Sequence, residues 1–346
     1  MIQSMNARKP FIAFAVGSVL LLGACGGGTN DASTDDERSG PASRQCDVPV
    51  DLTRLQETPI GVLMPAGSLQ RQSYKEAQEI ASAGLNAVSL GLGFYYTQQG
   101  DITFDFDGNS DEDALKRWKN NLRCNVVEAK SAGLIVAVWG QFIEAGRRGE
   151  PGAVSEEIQV KILDQTLELI PEVASMLEEL KVEFWSPVSE LDRFVGPTNH
   201  NIYFPQMVAA GRPLFTGTMY AQPAILDRNG FVPQGIIPDL GGVDALGISW
   251  ISYECEVDKL PPGQSLDWAD YFIDAAAQQG ISRVYISELG DTVAADEGSR
   301  PCLEKLIATW NGKNEGVFLL DMPSDFPNGV VIKGSWQEQV LRTLRD

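Results

Sequence analysis

Two glutamates in the sequence each end an apolar run with the same tripeptide, Ser-Glu-Leu. Glu190 closes the segment that begins at residue 182, and Glu288 closes the segment that begins at residue 283. Paired carboxyl groups support acid–base and nucleophilic catalysis, because one carboxyl can donate a proton while the other, ionised, attacks or stabilises a positive centre. Glu190 and Glu288 are therefore the first candidates for catalytic residues.

The overall charge and the scarcity of histidine exclude several other kinds of chemistry. The chain of 346 residues has 47 Asp and Glu against 27 Lys and Arg, so its formal charge is −20. We expect no nucleic acid partner, because such a chain has no broad basic surface for phosphates. His200 is the one histidine, so a zinc site of several histidines is impossible, and a Ser-His or Cys-His nucleophile would depend on it. We expect His200 on the surface at a helix N-terminus, and neither a metal nor a cofactor.

The pattern that must position the two glutamates starts near residue 57, where short β-rich apolar runs alternate with amphipathic segments. This alternation is typical of βα units in a parallel sheet. The apolar runs predict eight strands, at 60–64, 87–92, 134–139, 182–186, 214–219, 245–251, 283–287 and 316–320. The intervening segments predict helices at 74–83, 112–132, 155–180, 202–210, 268–279, 302–311 and 336–344.

Eight strands over roughly 290 residues favour a closed (β/α)8 TIM barrel. Gly84, Gly133, Gly211 and Gly280 each follow a predicted helix and precede a strand. Glycine fits a left-handed helix C-cap, which lets the chain turn back into the sheet. An open doubly wound sheet is the alternative, but residues 64–67 lack the Gly-rich phosphate fingerprint that such a sheet often carries after its first strand.

The active site of a (β/α)8 barrel lies at the carboxyl ends of its strands, where both glutamates are expected. Glu190 follows the fourth predicted strand and Glu288 follows the seventh. Strands about 4.8 Å apart make a barrel about 15 Å across, so these two strands lie about 14 Å apart. Inward Glu side chains of about 4 to 5 Å leave a gap of roughly 5 to 6 Å, close to the carboxyl separation of retaining glycosidases.

At these positions the chain resembles the glycoside hydrolases of clan A, whose barrels carry an acid/base glutamate after strand four and a nucleophile after strand seven. The resemblance implies a carbohydrate substrate, with Glu190 as the acid/base and Glu288 as the nucleophile of a retaining hydrolase. Two positions depart from the clan. Ser189 stands where many members have an Asn that holds the sugar 2-hydroxyl, and Asp321 lies in a Leu-Leu-Asp-Met segment where many have a Trp.

Side chains at or just past the strand ends are candidates for binding the sugar. Aromatic rings can stack on the C–H faces of a sugar ring, and polar groups can bond its hydroxyls. We expect substrate contacts from Tyr95, Trp139, Gln141, Trp185, Ser189, Trp250, Tyr253 and Asp321. The clan resemblance favours Tyr253 among the aromatics, because clan members often place a Tyr near strand six that bonds the nucleophile. The alternative for each aromatic residue is a place in the barrel core.

The amino terminus is typical of an exported bacterial lipoprotein. Residues 1–24 predict a signal peptide, since two basic residues precede an apolar run at 11–22 that is too short to span a bilayer. Leu22-Gly23-Ala24-Cys25 resembles a lipobox, which implies cleavage before Cys25 and a lipid anchor on its thiol. The polar residues 25–56 predict a flexible tether, and residues 57–346 form the predicted barrel domain. Gly26 after the anchor implies transfer to the outer membrane of the bacterial cell envelope.

Four cysteines remain once Cys25 is assigned to the anchor, and an oxidising compartment predicts two disulfides among them. Three pairings are possible. Proximity along the chain favours Cys46 with Cys124, and Cys255 with Cys302.

The candidate site also has non-catalytic interpretations. Glu190 can belong to the first turn of a helix, where acidic groups favour the macrodipole, and Glu288 can pair with Arg283 or Arg193. The second hypothesis is therefore a non-catalytic carbohydrate-binding or envelope-assembly lipoprotein that has kept the barrel. The acidic segment 101–111 predicts a hairpin-like excursion, and a calcium loop is the alternative there.

Overall fold

The computed structural model describes residues 46, 52–64, 77–147, 154–223, 238–252, 268–291, 300–301, 304, 308, 314–320 and 333–344. The strands within these residues are β1 (Ile60–Met64), β2 (Ala87–Tyr96), β3 (Ile102–Thr103), β4 (Ile135–Glu144), β5 (Phe184–Ser186), β6 (Thr218–Ala221), β7 (Ala245–Ser252), β8 (Arg283–Asp291) and β9 (Val317–Leu320). The helices are α1 (Ala77–Ser82), α2 (Glu112–Ser131), α3 (Glu156–Glu179), α4 (Leu191–Gly211), α5 (Trp268–Gln278) and α6 (Trp336–Thr343).

Eight of the strands close into a barrel. They pair in parallel in the order β1-β9-β8-β7-β6-β5-β4-β2, and β1 also pairs with β2. This closure confirms the (β/α)8 TIM barrel, in which β5 is the fourth barrel strand and β8 the seventh. The short strand β3 pairs antiparallel with β2, so the segment 101–111 contains the hairpin-like excursion expected from the sequence.

The buried side chains form two layers, one inside the barrel and one between the barrel and its helices. Successive side chains of a strand point to opposite faces, so each strand contributes to both layers. The inner layer contains Leu63, Ala87, Ile135, Ala137, Trp139, Phe184, Tyr220, Ala245, Tyr285 and Phe318. The larger outer layer includes Trp185, Met219, Ile248 and Ile286 from the strands, and helix residues such as Trp118 and Phe204.

Local sequence signals explain where several helices begin and end. Asp111 caps α2 by accepting a hydrogen bond from the Ala114 amide at 2.7 Å, as a short acidic side chain does at a helix N-terminus. Gly84, Gly133 and Gly280 have φ values of 83°, 77° and 81°, which are the left-handed conformations expected at these joints. Gly211 has no such value; a Cβ there would lie 2.5 Å from the Trp185 ring, so close packing requires this glycine.

The segment before β1 is tied to the barrel. Cys46 and Cys124 form a disulfide, the pairing that chain proximity favoured. Arg54 donates to the Val182 carbonyl oxygen at 2.8 Å, and the Leu55 amide donates to Glu183 Oε1 at 2.8 Å. Residues Ser43–Asp346 form one compact unit.

Several predicted elements have different bounds in the structure. The fifth barrel strand is Thr218–Ala221 rather than 214–219, because Phe215 packs against Trp185, with ring centroids 5.4 Å apart. The helix predicted at 202–210 begins at Leu191, directly after Glu190, and has a break at Gly196. Among the described residues no helix is long and apolar enough to span a membrane. The signal peptide, Cys25, Cys255, Cys302 and most of the helix predicted at 302–311 lie outside the described residues.

Candidate active site

Glu190 lies beyond the carboxyl end of β5 in an unusual backbone conformation. Its φ and ψ are 51° and 34°, in the left-handed region that non-glycine residues rarely occupy. Such a residue costs on the order of 1 kcal/mol or more and persists only where its surroundings hold it. The Glu190 amide donates to the Gln222 carbonyl oxygen at 2.7 Å, and the Ser189 amide donates to the Gly140 carbonyl oxygen at 2.8 Å. These bonds attach the turn to β4 on one side and to the residue that follows β6 on the other.

Gly140 in β4 allows this turn to lie close to its neighbouring strand. A Cβ at Gly140 would lie 2.0 Å from the Pro187 carbonyl oxygen, so no larger residue fits there without moving the turn. The Glu190 side chain makes no capping hydrogen bond to α4. Glu190 is thus at the first turn of a helix, as one alternative proposed, but its carboxyl group does not serve as the helix cap.

A β-bulge in β8 brings Glu288 to the inner side of the barrel. β8 pairs Tyr285 with Gly247 and Glu288 with Ser249, so two residues of β8 oppose one residue of β7. The register against β9 shifts at the same place. Strict alternation from Tyr285, which faces the interior, would turn Glu288 outward. The extra residue places Glu288 beside Ser249 instead, which is a recognised use of a bulge next to a functional site.

The glycine opposite the bulge leaves room for it. A Cβ at Gly247 would lie 2.7 Å from the Ser287 Oγ and 2.8 Å from a ring carbon of Tyr220. Tyr220 belongs to the inner layer, and burial followed by the charge of Glu288 raises its pKa, while Ser89 acts in the opposite direction. The bulge, the glycine and the tyrosine therefore form the packed floor beneath the Glu288 carboxyl group.

The Glu288 carboxyl group is buried and accepts two hydrogen bonds on the same oxygen. Glu288 is 8% exposed, and both Gln222 Nε2 and Ser249 Oγ donate to its Oε2 at 3.0 Å. Burial, and then the negative charge of Glu190, raise the pKa of Glu288 to about 8. The hydrogen bonds from Ser249 and Gln222 act in the opposite direction, because they stabilise the ionised form.

The two glutamates therefore influence each other's ionisation, as two carboxyl groups sharing one site do. Arg193, in the first turn of α4, lies 3.4 Å from Glu190 Oε2. The Arg193 side chain is 45% exposed, so solvent screens much of its interaction with Glu190. Its charge also favours the ionised form of Glu288. The site thus contains one buried and one partly exposed carboxyl group, with a cation at the rim.

Several buried polar atoms around the two glutamates have no hydrogen-bond partner within the described part of the chain. They come from barrel strands or the turns that follow them, and they are Trp139 Nε1, Ser186 Oγ, Ser189 Oγ, Gln222 Oε1 and Ser287 Oγ. A buried polar atom without a partner costs about 1 to 3 kcal/mol, so such atoms are few in native proteins. Their concentration at one end of the barrel is typical of a site that binds a ligand rich in hydroxyl groups.

Gln222 and Ser249 are site residues that the sequence analysis missed. Gln222 directly follows β6, but the sequence placed this strand at 214–219, so Gln222 was not read as a strand-end residue. Ser249 lies within β7, where a single serine in an apolar run carries no functional signal. A correct end for β6 would have identified Gln222, whereas Ser249 emerges only from its register with Glu288.

The other predicted substrate-binding residues lie in different environments in the structure. Trp139 belongs to the inner layer with its Nε1 unpartnered among the described residues, and Gln141 follows it on the same face of β4, half-buried. Tyr95 is half-buried beside the β3 excursion, and burial, with the charge of Asp105, raises its pKa. The prediction that Trp185 contacts the substrate is wrong. It is fully buried in the outer layer against the helices, so its ring cannot stack on a sugar at the mouth.

The structure describes the remaining predicted positions only in part. The structure gives Trp250 a backbone position in β7, in register with Leu289, and Tyr253 and Asp321 lie outside the described residues. His200 is not the surface residue we expected. It is 2% exposed, stacks on Phe204 with ring centroids 5.0 Å apart, and its Nε2 lies 3.1 Å from the Asp239 carbonyl oxygen. Burial lowers the pKa of His200, which favours the neutral ring.

The described residues contain no cluster of His, Cys, Asp and Glu side chains that could hold a metal ion. In the acidic segment 101–111, Asp105 is engaged internally. Its carboxylate accepts bonds from the Asn109 amide and side chain at 2.9 Å each, and hydrogen bonds from Asn109 and Arg117 hold its pKa below the usual value despite partial burial. These contacts close the excursion around Asp105 rather than arranging its oxygens around a cation.

Comparison with known proteins gives matches at the level of structure alone. No family model and no curated protein matches this chain. Three solved structures illustrate the likeness. The GH113 β-mannanase of Alicyclobacillus acidocaldarius has a TM-score of 0.59 and 14% identity, covering 84% of this chain and 97% of its own. The Bacteroides ovatus GH5 xyloglucanase has a TM-score of 0.56 and 12% identity, covering 83% and 74%.

The catalytic domain of the major endoglucanase from Xanthomonas campestris pv. campestris has a TM-score of 0.51 and 15% identity, covering 83% of this chain and 94% of its own. At such identities the likeness shows a shared fold. The chain therefore has the eight-stranded barrel that clan A glycoside hydrolases use, and function must be argued from its own residues.

Proposed function

We propose that the protein is a retaining glycoside hydrolase that acts on a poly- or oligosaccharide, with Glu190 as acid/base and Glu288 as nucleophile. The observation that carries the proposal is the convergence of these two carboxyl groups on one site, with Glu190 just past the fourth barrel strand and Glu288 at the bulge in the seventh. The strain at Glu190 and the bulge at Glu288 support it, because local structure of this kind recurs at functional sites. The fold shared with β-mannanases, a xyloglucanase and an endoglucanase supports a β-linked glycan as substrate.

In the proposed reaction a Glu288 oxygen attacks the anomeric carbon while the bond to the leaving oxygen breaks. Glu190 donates its proton to that oxygen, and a covalent glycosyl-enzyme ester forms. Glu190, now ionised, takes a proton from water, and the water oxygen displaces Glu288 from the anomeric carbon. Two displacements at the same carbon retain its configuration, and both carboxyl groups return to their starting protonation states.

The ionisation of the site supports a reaction that uses one proton. Since burial, and then the charge of Glu190, raise the pKa of Glu288 to about 8, the pair keeps one proton up to about that pH. In the unliganded site this proton lies on Glu288, which is the more buried carboxyl group. The proposed roles require it on Glu190 when substrate is bound, and hydrogen bonds from Ser249, Gln222 and sugar hydroxyls would stabilise the ionised Glu288. We expect kcat/KM to fall above about pH 8, as the last proton leaves the pair.

One contact favours the non-catalytic alternative. Arg193 lies within ion-pair distance of Glu190, which is the kind of pairing a purely structural glutamate would have. In that case the barrel would bind a carbohydrate without cleaving it, and the buried polar atoms would remain a binding surface. The two hypotheses differ in a single property, turnover, so they can be separated directly.

The test is hydrolysis by the purified protein of a panel containing β-1,4-mannan, xyloglucan, a soluble cellulose derivative and aryl β-glycosides. We expect one of these to be cleaved, with the product initially released in the same anomeric configuration. Glu288→Gly should abolish turnover, and added azide should restore release from an aryl glycoside as an azide adduct of inverted configuration. The control is Glu172→Gln, an exposed ion-pair residue on α3. Turnover by Glu288→Gly without azide would overturn the assignment, and glycan binding without turnover would favour the alternative.

We also propose that the protein is anchored in the bacterial envelope through a lipid on Cys25. The support is the lipobox-like Leu-Gly-Ala-Cys segment after an apolar run, and a Cys46–Cys124 disulfide, which is typical of an oxidising compartment. Mass spectrometry of the amino-terminal peptide from membrane-extracted protein should show a diacylglycerol adduct on Cys25. Cys25→Ala should leave the protein unmodified and release it from the membrane fraction. A membrane-bound Cys25→Ala protein would contradict the proposal.

A further inference from the structure

Gln222 contacts the two candidate catalytic glutamates through different parts of the residue. Its carbonyl oxygen accepts the Glu190 amide proton at 2.7 Å, and its side-chain Nε2 donates to Glu288 Oε2 at 3.0 Å. Gln222 is 2% exposed, so both contacts are shielded from water. One residue, at the end of β6 between the strands that carry the two glutamates, therefore links the backbone of one to the carboxyl group of the other.

The bond to Glu288 also fixes the orientation of the Gln222 amide. Because Nε2 faces the carboxylate, Oε1 must lie on the other side of the amide group, where it is buried and has no partner among the described residues. An amide oxygen is an acceptor and requires a donor. Ser186 Oγ and Ser189 Oγ are likewise unpartnered on the adjoining strand and turn, so Gln222 Oε1 belongs to the group of polar atoms assigned above to a hydroxyl-rich ligand.

We propose that Gln222 is a shared positioning residue, which holds Glu288 through Nε2 and the Glu190 turn through its carbonyl oxygen while Oε1 accepts a hydrogen bond from a hydroxyl of the bound sugar. The inference rests on the proposed hydrolase function. It deepens that function by assigning a residue directly after the fifth barrel strand that both binds the substrate and orients the nucleophile. Ser189, which stands where clan members often have an Asn, has no amide group to provide such an acceptor.

Among the described residues, the charged groups that act on the ionisation of Glu288 are Glu190 and Arg193 at the start of α4. The charge of Glu288 in turn raises the pKa of Tyr220 in β6. The donors Gln222 and Ser249 both favour ionised Glu288, so removal of either should make its ionisation harder. Gln222 also has a separate acceptor atom, Oε1, which has no partner among the described residues. Ser249→Ala is therefore the matched control, because it removes a donor to the same Glu288 oxygen and leaves the Gln222 amide in place.

The experiment compares Gln222→Met with Ser249→Ala in the full chain by two readouts. The first is a carbon-13 NMR titration of labelled glutamate carboxyl groups, in which Glu288→Gln identifies the Glu288 signal. We expect the titration midpoint of Glu288 to rise by about one unit in both variants, which corresponds to the loss of one charge-assisted hydrogen bond. The second readout is kcat and KM with 4-nitrophenyl β-cellobioside or β-mannobioside, for which we expect a several-fold rise in KM in Gln222→Met alone.

The outcomes separate this inference from the proposed function. An unchanged Glu288 midpoint in folded Gln222→Met would overturn the positioning role, and equal KM values in the two variants would overturn the contact with the sugar. If Gln222→Met does not fold, Gln222→Asn withdraws Nε2 by one methylene and should give the same rise in the midpoint. If Gln222→Met shifts the titration midpoint of Glu288 but the wild-type protein cleaves no glycan, the hydrolase function is refuted. The link between Gln222 and Glu288 then remains in place.

Discussion

The Ser249 hydroxyl donates a hydrogen bond to Glu288 Oε2 over 3.0 Å, from the position in β7 that lies in register with Glu288 in β8. This contact exists because a bulge in β8 carries Glu288 to the inner side of the barrel. Gln222 Nε2 donates to the same oxygen. Two neutral donors thus hold a buried carboxyl group that lies within the influence of a second carboxyl group.

Removal of the Ser249 hydroxyl should weaken catalysis without unfolding the protein. In Ser249→Ala the ionised form of Glu288 loses one of its two donors, so its formation in the reaction costs more. We expect kcat/KM to fall about tenfold and its alkaline limb to move up by about one pH unit, as loss of one hydrogen bond to a charge implies. The measurement is a pH profile of kcat/KM. Ser175→Ala, on the exposed side of α3, should behave as wild type, and identical profiles for both variants would contradict the prediction.

Glu288 should destabilise the folded protein as the pH rises. Its pKa is raised to about 8 in the folded state, so between the ordinary carboxyl range and pH 8 the folded state binds more protons than the unfolded state. Stability must then decrease with increasing pH across that window. Glu288→Gln removes this penalty, and we expect its free energy of unfolding to exceed that of wild type by a few kcal/mol above pH 8.

Thermal unfolding of wild type and Glu288→Gln between pH 4 and 9 checks this expectation, and the two curves should converge at the acidic end. The control is Glu172→Gln, because an exposed ion pair contributes little to stability. A Glu288→Gln protein that is less stable than wild type at pH 8 to 9 would contradict the electrostatic description of the site.

Gly247 should be required for activity although it bears no functional group. A Cβ there would meet the Ser287 Oγ and the Tyr220 ring at less than a normal contact distance, so Gly247→Ala must displace the bulge that presents Glu288. We expect a loss of about 1 to 3 kcal/mol in the free energy of unfolding and at least a tenfold loss in kcat/KM. Urea unfolding and kinetics measure the two effects. Adding Ser287→Gly should recover part of the activity, and full activity in Gly247→Ala alone would refute the requirement.

Trp185 and Trp139 should respond differently to substitution, since they occupy different layers. Trp185 is buried against Phe215 and Gly211, so Trp185→Ala should cost about 3 to 5 kcal/mol of stability with KM unchanged. Trp139→Phe removes the indole N–H inside the barrel, which has no partner in the described part of the chain, and should raise KM several-fold with little loss of stability. Urea unfolding with parallel KM measurements distinguishes them, and a raised KM in folded Trp185→Ala would contradict the assignment of Trp185 to the core.

The sequence by itself predicted the barrel and the two strands, the fourth and the seventh, that position the glutamates, although β8 extends to Asp291, so that Glu288 lies within this strand rather than beyond its end. Alternating β-rich and amphipathic segments report local propensity and the burial of whole segments. Both properties can be recognised in the sequence without knowing which segments pack together. The glycine joints at Gly84, Gly133 and Gly280 are local too, since a left-handed C-cap depends on the residue itself. The same reasoning placed β6 too early, because Leu214 and Phe215 are apolar whether they lie in a strand or pack in a turn.

Only the tertiary structure decided which side chains of those strands face the site. Both faces of a barrel strand are buried, so hydrophobicity cannot distinguish them, and Trp185 was assigned to the mouth although Phe184 and not Trp185 points inward. The bulge before Glu288 depends on the register of three strands, and the double contact of Gln222 joins residues 32 and 66 positions away in the chain. Such relationships arise from closure of the sheet, and no segment of the sequence contains them.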